Sequence, residues 1–208
     1  MNFKKILISS IADLSIFVVV SSTAAVTTVS AASDQVAKVQ ATSENNKIDR
    51  VADPDDITVG IQPGVSQQVR QDVKYAIEQW NSTKLIHLRL TNTTDFNDVN
   101  ITFTNRDPNK SSWGSSLNLI QDTNDPSVKT LLETLISLDP QLRTGQYGND
   151  DLEHTIMHEM GHALGLNDNY ADKNAIMYYT SDFYSTNNAT VKVNASDYQN
   201  LKLLYPTD

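Results

Sequence analysis

His158 and His162 stand four residues apart with Glu159 directly after the first, in the run His158-Glu159-Met160-Gly161-His162. This run restricts the fold more than any other feature, because its side chains act together on an α-helix. There, positions i and i+4 share one face, about 5–6 Å apart. Both imidazoles can then reach one ion at zinc–nitrogen distances of about 2.1 Å. Glu159, one residue on, projects beside such an ion and can reach a water held on it, as a general base must. Asp150 is the expected N-cap of this helix, with Glu153 completing a capping box. Gly165 is expected to end it in a left-handed turn just after Leu164. The chain reversed there can bring Asp168 back to the metal as a third ligand. His154 lies one turn before His158 on the same face. At a rise of about 1.5 Å per residue, its Cα is about 12 Å from that of His162 along the axis. It therefore reads as a polar neighbour of the site, not as a ligand.

The rest of the chain offers few rival ligands. Its 208 residues contain no cysteine and four histidines. Disulfides, Cys-held zinc, iron–sulfur clusters and thiol nucleophiles are excluded, so a metal must be held by His, Asp or Glu. The fourth histidine, His87, reads as a solvent-facing strand residue. Asp122, Asn124 and Asp125, or Asp172 and Asn174, carry oxygens of the kind structural calcium takes. Neither cluster has EF-hand spacing, and both read as polar loops. Lys plus Arg is 16 against 25 Asp plus Glu, a formal charge of −9 with no basic cluster, which suits nucleic acid poorly.

Three segments are expected. Lys4 and Lys5 precede an apolar stretch from Ile6 to Val20 broken only by Asp13, and small residues follow through Ala31 and Ala32. This describes a signal peptide over residues 1–32, cut after Ala31 or Ala32. An uncleaved anchor is the rival, since 14–32 is uncharged, but its Ser, Thr and Ala would span a membrane poorly. Residues 33–56 are polar and aperiodic and read as a linker or short pro-segment. The folded domain is then 57–208.

Within that domain the pattern is α+β. Ile57, Val59 and Ile61 alternate as a strand, as do Ile86, Leu88 and Leu90, and then Val99, Ile101 and Phe103. Val69, Val73, Ala76, Ile77 and Trp80 form one apolar stripe on a helix of about 15 residues starting near Ser66. Leu117, Leu119 and Ile120 suggest a short edge strand. Val128, Leu131, Leu132, Leu135 and Ile136 suggest a second helix after Pro126. Ser196 and Gln199 suggest a capping box on a closing helix through Leu201 and Tyr205.

The stretch from His158 to Asp168 resembles the zinc signature of the metzincin endopeptidases. Ala175-Ile176-Met177-Tyr178-Tyr179 resembles their Met-turn. The matrixin branch, with its bacterial members, is the nearest general likeness. Matrixins mostly have His as third ligand. Asp168 resembles instead the snapalysin-type secreted bacterial metzincins, with the motif HExxHxxGxxD. The resemblance implies a twisted mixed sheet with an edge strand over the cleft, an active-site helix, a Met-turn and a C-terminal helix. It implies one catalytic zinc on His158, His162 and Asp168, with Glu159 as base, Met177 as an apolar floor, and Tyr179 as a possible supporting residue. It also implies a protein or peptide substrate bound extended along the edge strand. Without cysteine, any latency from residues 33–56 needs another route, such as a carboxylate on the zinc.

The expected protein is a secreted, monomeric zinc endopeptidase with no stable membrane association after leader cleavage. The rival from another class is a secreted binding or adhesion protein with structural zinc. Such sites are usually closed by four protein ligands, and three are found here.

Overall fold

The computed structural model describes residues 7–9, 48–93, 99–104, 114–125, 127–138, 149–180 and 191–207. Among them, seven strands form one mixed sheet: β1 (Leu7–Ser9), β2 (Ile48–Val51), β3 (Ile57–Ile61), β4 (Leu88–Leu90), β5 (Ile101–Thr104), β6 (Gly114–Asp122) and β7 (Val128–Leu138). The helices are α1 (Gln67–Asn81), α2 (Asn149–Ala163) and α3 (Ala195–Leu204). The sheet order is β1-β6-β7-β5-β3-β4, with β2 beside the start of β7. β3, β4, β5 and β7 pair in parallel, and β6 runs antiparallel to β7.

The alternating residues of β3, Ile57, Val59 and Ile61, are buried. The chain leaves β3 through Gly64 at φ 86°, where glycine meets no Cβ penalty. Ser66 then caps α1, its side chain accepting from the Val69 amide. This satisfies one of the four unpaired amides at a helix start. The stripe Val69, Val73, Ala76, Ile77 and Trp80 is buried throughout. Burying each of its larger apolar side chains stabilises by about 1.5–3 kcal/mol. Trp80 also donates its indole N–H to the Met157 carbonyl at 3.1 Å, which fixes α1 against α2. Ile156, Met157, Met160 and Leu164 complete the core on the α2 side.

Four sequence expectations are corrected. The helix expected after Pro126 is β7, the strand that joins both halves of the sheet. Leu131, Ile136 and Leu138 are buried, and so are Thr134 and Ser137 between them. The pairing with β6 steps from Leu119↔Glu133 to Ile120↔Leu131 and skips Leu132, which is exposed; this irregularity breaks the two-residue alternation by which strands are recognised. The domain also begins before Ile57. Residues 48–51, expected in the polar linker, pair with β7 from Ile48↔Val128 to Val51↔Leu131. Their anchors are distant in sequence: the Val51 amide donates to the Tyr205 hydroxyl at 2.9 Å, and the Arg50 guanidinium donates to the Leu204 carbonyl at 3.2 Å. The capping box of α3 is Asn194 with Asp197, not Ser196 with Gln199. Asp150 is inside α2, so it is not its N-cap.

The short edge strand expected around Leu117 is the nine-residue β6. Apart from β1, the leader lies outside the described residues, including both cleavage positions. No described helix is long and apolar enough to cross a membrane.

Candidate metal centre

Helix α2 presents His158 and His162 one turn apart, with ring centroids 4.6 Å apart and ring planes at 90°. Gly165 stops the helix at φ 93°. The Leu166 amide bonds back to the Gly161 carbonyl and the Gly165 amide to that of His162, the pairing of a Schellman turn. A Cβ on Gly165 would also run into the Asp49 carbonyl of β2. The reversed chain brings Asp168 Oδ1 to 3.2 Å from His158 Nε2 and 3.5 Å from His162 Nε2. Among the described residues, this is the one group of three or more His, Asp or Glu whose donor atoms converge within 4.8 Å.

The tautomers follow from the second ring nitrogens. His158 Nδ1 donates to the Ile176 carbonyl at 2.9 Å, and His162 Nδ1 to the Leu166 carbonyl at 2.8 Å. A carbonyl only accepts, so in the neutral rings the proton sits on Nδ1 and Nε2 faces Asp168 with a bare lone pair. Two imidazole nitrogens and one carboxylate oxygen form a donor set that fits zinc. Electrostatics agree. Burial pushes the Asp168 carboxyl up, but hydrogen bonds with His158 and His162 overcome this and hold it well below the usual range. Burial pushes His162 down, while the Asp168 hydrogen bond and the charges of Glu159 and Asp168 lift it to about 9.

Glu159 is 7% exposed, and its Oε2 is buried with no hydrogen-bond partner among the described residues. A buried carboxylate oxygen left this way is expensive unless a ligand or water meets it. His154 is buried outside the converging group. Burial first, and then the charge of His158, push it down to about 3, so it is neutral. His87 is exposed, with Nδ1 at 3.2 Å from the Asp55 carbonyl.

Met177 is fully buried beneath α2, and a Cβ on Gly161 would collide with its sulfur. Tyr179 is exposed and stacks on Tyr170 at 5.0 Å, while the Tyr170 hydroxyl lies 3.5 Å from Asp168 Oδ2. Two of the carboxylates of the kind calcium takes have local partners. Asp125 Oδ1 accepts from the Ser127 amide and hydroxyl, and Asp172 accepts from the Asn174 amide and the Asn194 side chain.

Two supporting residues escaped sequence reading. Buried Asn169 bonds its backbone to Met177 and Tyr179, accepts at Oδ1 from the Ala171 and Asp172 amides, and donates to Ser196. It thereby ties the Asp168 loop to the Met177 loop and to α3. Buried Asp197 accepts from the Ile176 and Met177 amides. In sequence, both look like ordinary turn or cap residues.

Comparison with known proteins places the site in context. Residues 54–206 match the family described as Matrixin, a peptidase family. No protein of curated function matches the chain. Several solved structures are similar. Myroilysin matches at a TM-score of 0.44 and 19% identity, over 76% of this chain and 96% of that one. High choriolytic enzyme 1, a hatching-enzyme zinc protease from the medaka fish Oryzias latipes, matches at 0.42 and 14%, over 80% and 94%. Archaemetzincin from Methanopyrus kandleri matches at 0.43 and 12%, over 78% and 97%.

Proposed function

Because this chain belongs to the matrixin family and is a zinc metalloendopeptidase of protein or peptide substrates, we propose that His158, His162 and Asp168 hold its zinc and that Glu159 is the general base. The observation that carries this reading is the convergence of His158 Nε2, His162 Nε2 and Asp168 Oδ1 beside the buried carboxylate of Glu159. When bound, zinc supplies Lewis acidity to the scissile carbonyl and to the attacking water. The two imidazoles are oriented in advance by their Nδ1 bonds, and Asp168 brings one compensating negative charge. Glu159 takes a proton from the attacking water and returns it to the leaving nitrogen. Three protein ligands leave a coordination position open, which favours catalysis over a structural role.

The substrate binds extended against β6. That strand begins at Gly114, directly over Glu159, and its outer edge takes up an antiparallel strand, since Leu7–Ser9 pairs with Asn118–Ile120. Main-chain hydrogen bonds along such an edge give affinity, while side-chain pockets give specificity. The protein is secreted and its leader removed, a reading supported by the basic start, apolar middle and small-residue end of residues 1–32.

Casein digestion tests the function. Hydrolysis should stop on chelation and return with added zinc; chelator-resistant digestion would contradict the reading. N-terminal sequencing of the exported protein should begin at or after Ala32, whereas an intact Met1 in a membrane fraction would identify an anchor.

A further inference from the structure

We propose that Gly114 is a positioning residue for the base: the lack of a side chain at the start of β6 sets where the Glu159 carboxylate lies. The proposal rests on the reading of Glu159 as base. A Cβ built on Gly114 would lie 2.8 Å from Glu159 Oε1, 2.8 Å from Glu159 Cγ and 2.8 Å from Thr155 Cγ2. Carbon atoms in van der Waals contact sit about 3.5–4.0 Å apart, so the base fills the space that any other residue would need. Backbone conformation does not demand the glycine. Among the described glycines, positive φ occurs at Gly64 and Gly165, not at Gly114. The requirement is therefore space above Glu159.

The local structure determines which part yields when that space is filled. The backbone of β6 is held in register, Gly114 opposite Leu138 and Ser115 opposite Ser137. Thr155 is β-branched and anchored by its hydroxyl to the Asp151 carbonyl at 2.7 Å. The Glu159 carboxylate, at the end of a flexible side chain, gives way most easily. Its Oε1 lies against Gly114, so displacement from that side moves the carboxylate off the position it holds beside His158 and His162. A misplacement of about 1 Å in a reacting group can cost on the order of 100-fold in rate.

A double-mutant cycle on the zinc-loaded full chain tests this, with Gly114→Ala, Glu159→Gln and the pair assayed on one peptide. Gly114→Ala should keep one zinc per chain and a KM within about twofold, while kcat falls on the order of 10–100-fold. In the Glu159→Gln background the same change should cost less than about twofold, because the group it displaces no longer works as a base. An equal fold-loss in both backgrounds, or an unchanged kcat in zinc-loaded Gly114→Ala, overturns the proposal. Near-normal activity in Glu159→Gln alone overturns the underlying reading instead, so the two failures are distinct. If Gly114→Ala folds poorly, Gly114→Ala/Thr155→Ser removes the Thr155 methyl and relieves that clash. Stability should return without kcat; recovery of both would make Gly114 a packing residue only.

Discussion

Ile176 accepts the Nδ1 hydrogen bond of His158 at 2.9 Å, so the loop leading into Met177 sets the ring that faces Asp168. That loop is itself held from below. The Ile176 and Met177 amides donate to the two oxygens of Asp197 at 2.9 and 3.2 Å, and the Asn194 amide donates at 3.0 Å. Burial raises the Asp197 carboxyl, and the hydrogen bonds from these amides pull the other way. Asp197, on the closing helix 39 residues after His158, thus orients that ring through two backbone amides.

Asp197→Asn replaces one accepting oxygen with a donor and leaves a buried amide without its partner. The cost should be about 1–3 kcal/mol, that of one unmet buried group. Zinc affinity should fall about 10–100-fold, as is typical when a group supporting a ligand is lost. Thermal melting and chelator competition measure the two effects. Wild-type zinc affinity in a folded variant would show that the loop does not orient His158.

Asp168→Ala should lose most of its zinc and activity, while His154→Ala should keep its zinc. Asp168 Oδ1 lies within 3.5 Å of both ligand nitrogens, whereas the ring of His154 is centred 5.9 Å from that of His158 and lies outside the converging group. Metal content of the two purified proteins decides the matter, and the reverse pattern would overturn the ligand assignment.

His154 also predicts an acid sensitivity. Its folded-state value of about 3 is below the ordinary 6.5, so the unfolded chain takes up a proton that the folded chain refuses. The stability its neutral form contributes is complete above about pH 6.5 and is lost as pH falls toward about 3. The slope is about 1.4 kcal/mol per pH unit for one proton. Denaturant unfolding from pH 7 to 5 should show His154→Gln with a shallower loss than wild type. Parallel curves would mean that His154 is not held neutral.

Truncation tests the early start of the domain. A chain beginning at Lys47 keeps β2 and is the reference, since both truncations lack β1. A chain beginning at Ala52 loses the β2–β7 pairing, the Arg50 and Val51 anchors to α3, and the carbonyl packed on Gly165. It should melt several degrees lower, since about 1 kcal/mol shifts a domain of this size by roughly 2–4 °C. Equal melting temperatures would make β2 dispensable.

The two helices that frame the site were legible because local rules and tertiary demands agree there. The stripe from Val69 to Trp80, the Ser66 cap, and the Gly165 stop are each set by their own neighbourhood. The strand β7 was not legible. Val128, Leu131, Leu132, Leu135 and Ile136 fall at helical spacing, and the skipped Leu132 interrupts the alternation that would have marked a strand. Ile48–Val51 carries no signal of its own, because its partners are β7 and the last residues of the chain. At the site, the helical spacing of His158 and His162 was plain in the sequence, but what surrounds them was not. Asn169, Asp197 and Gly114 matter through what the fold places against them, and no local pattern marks that.

The most direct test of the whole account is peptide hydrolysis by zinc-loaded Glu159→Gln, with zinc content and melting temperature measured on the same sample. Glu159 is beside the ligand group and not in it. The variant should therefore hold one zinc per chain and melt like wild type, while kcat falls about 10²–10⁴-fold. A folded, zinc-loaded Glu159→Gln protein that cuts peptides at close to the wild-type rate would contradict the account.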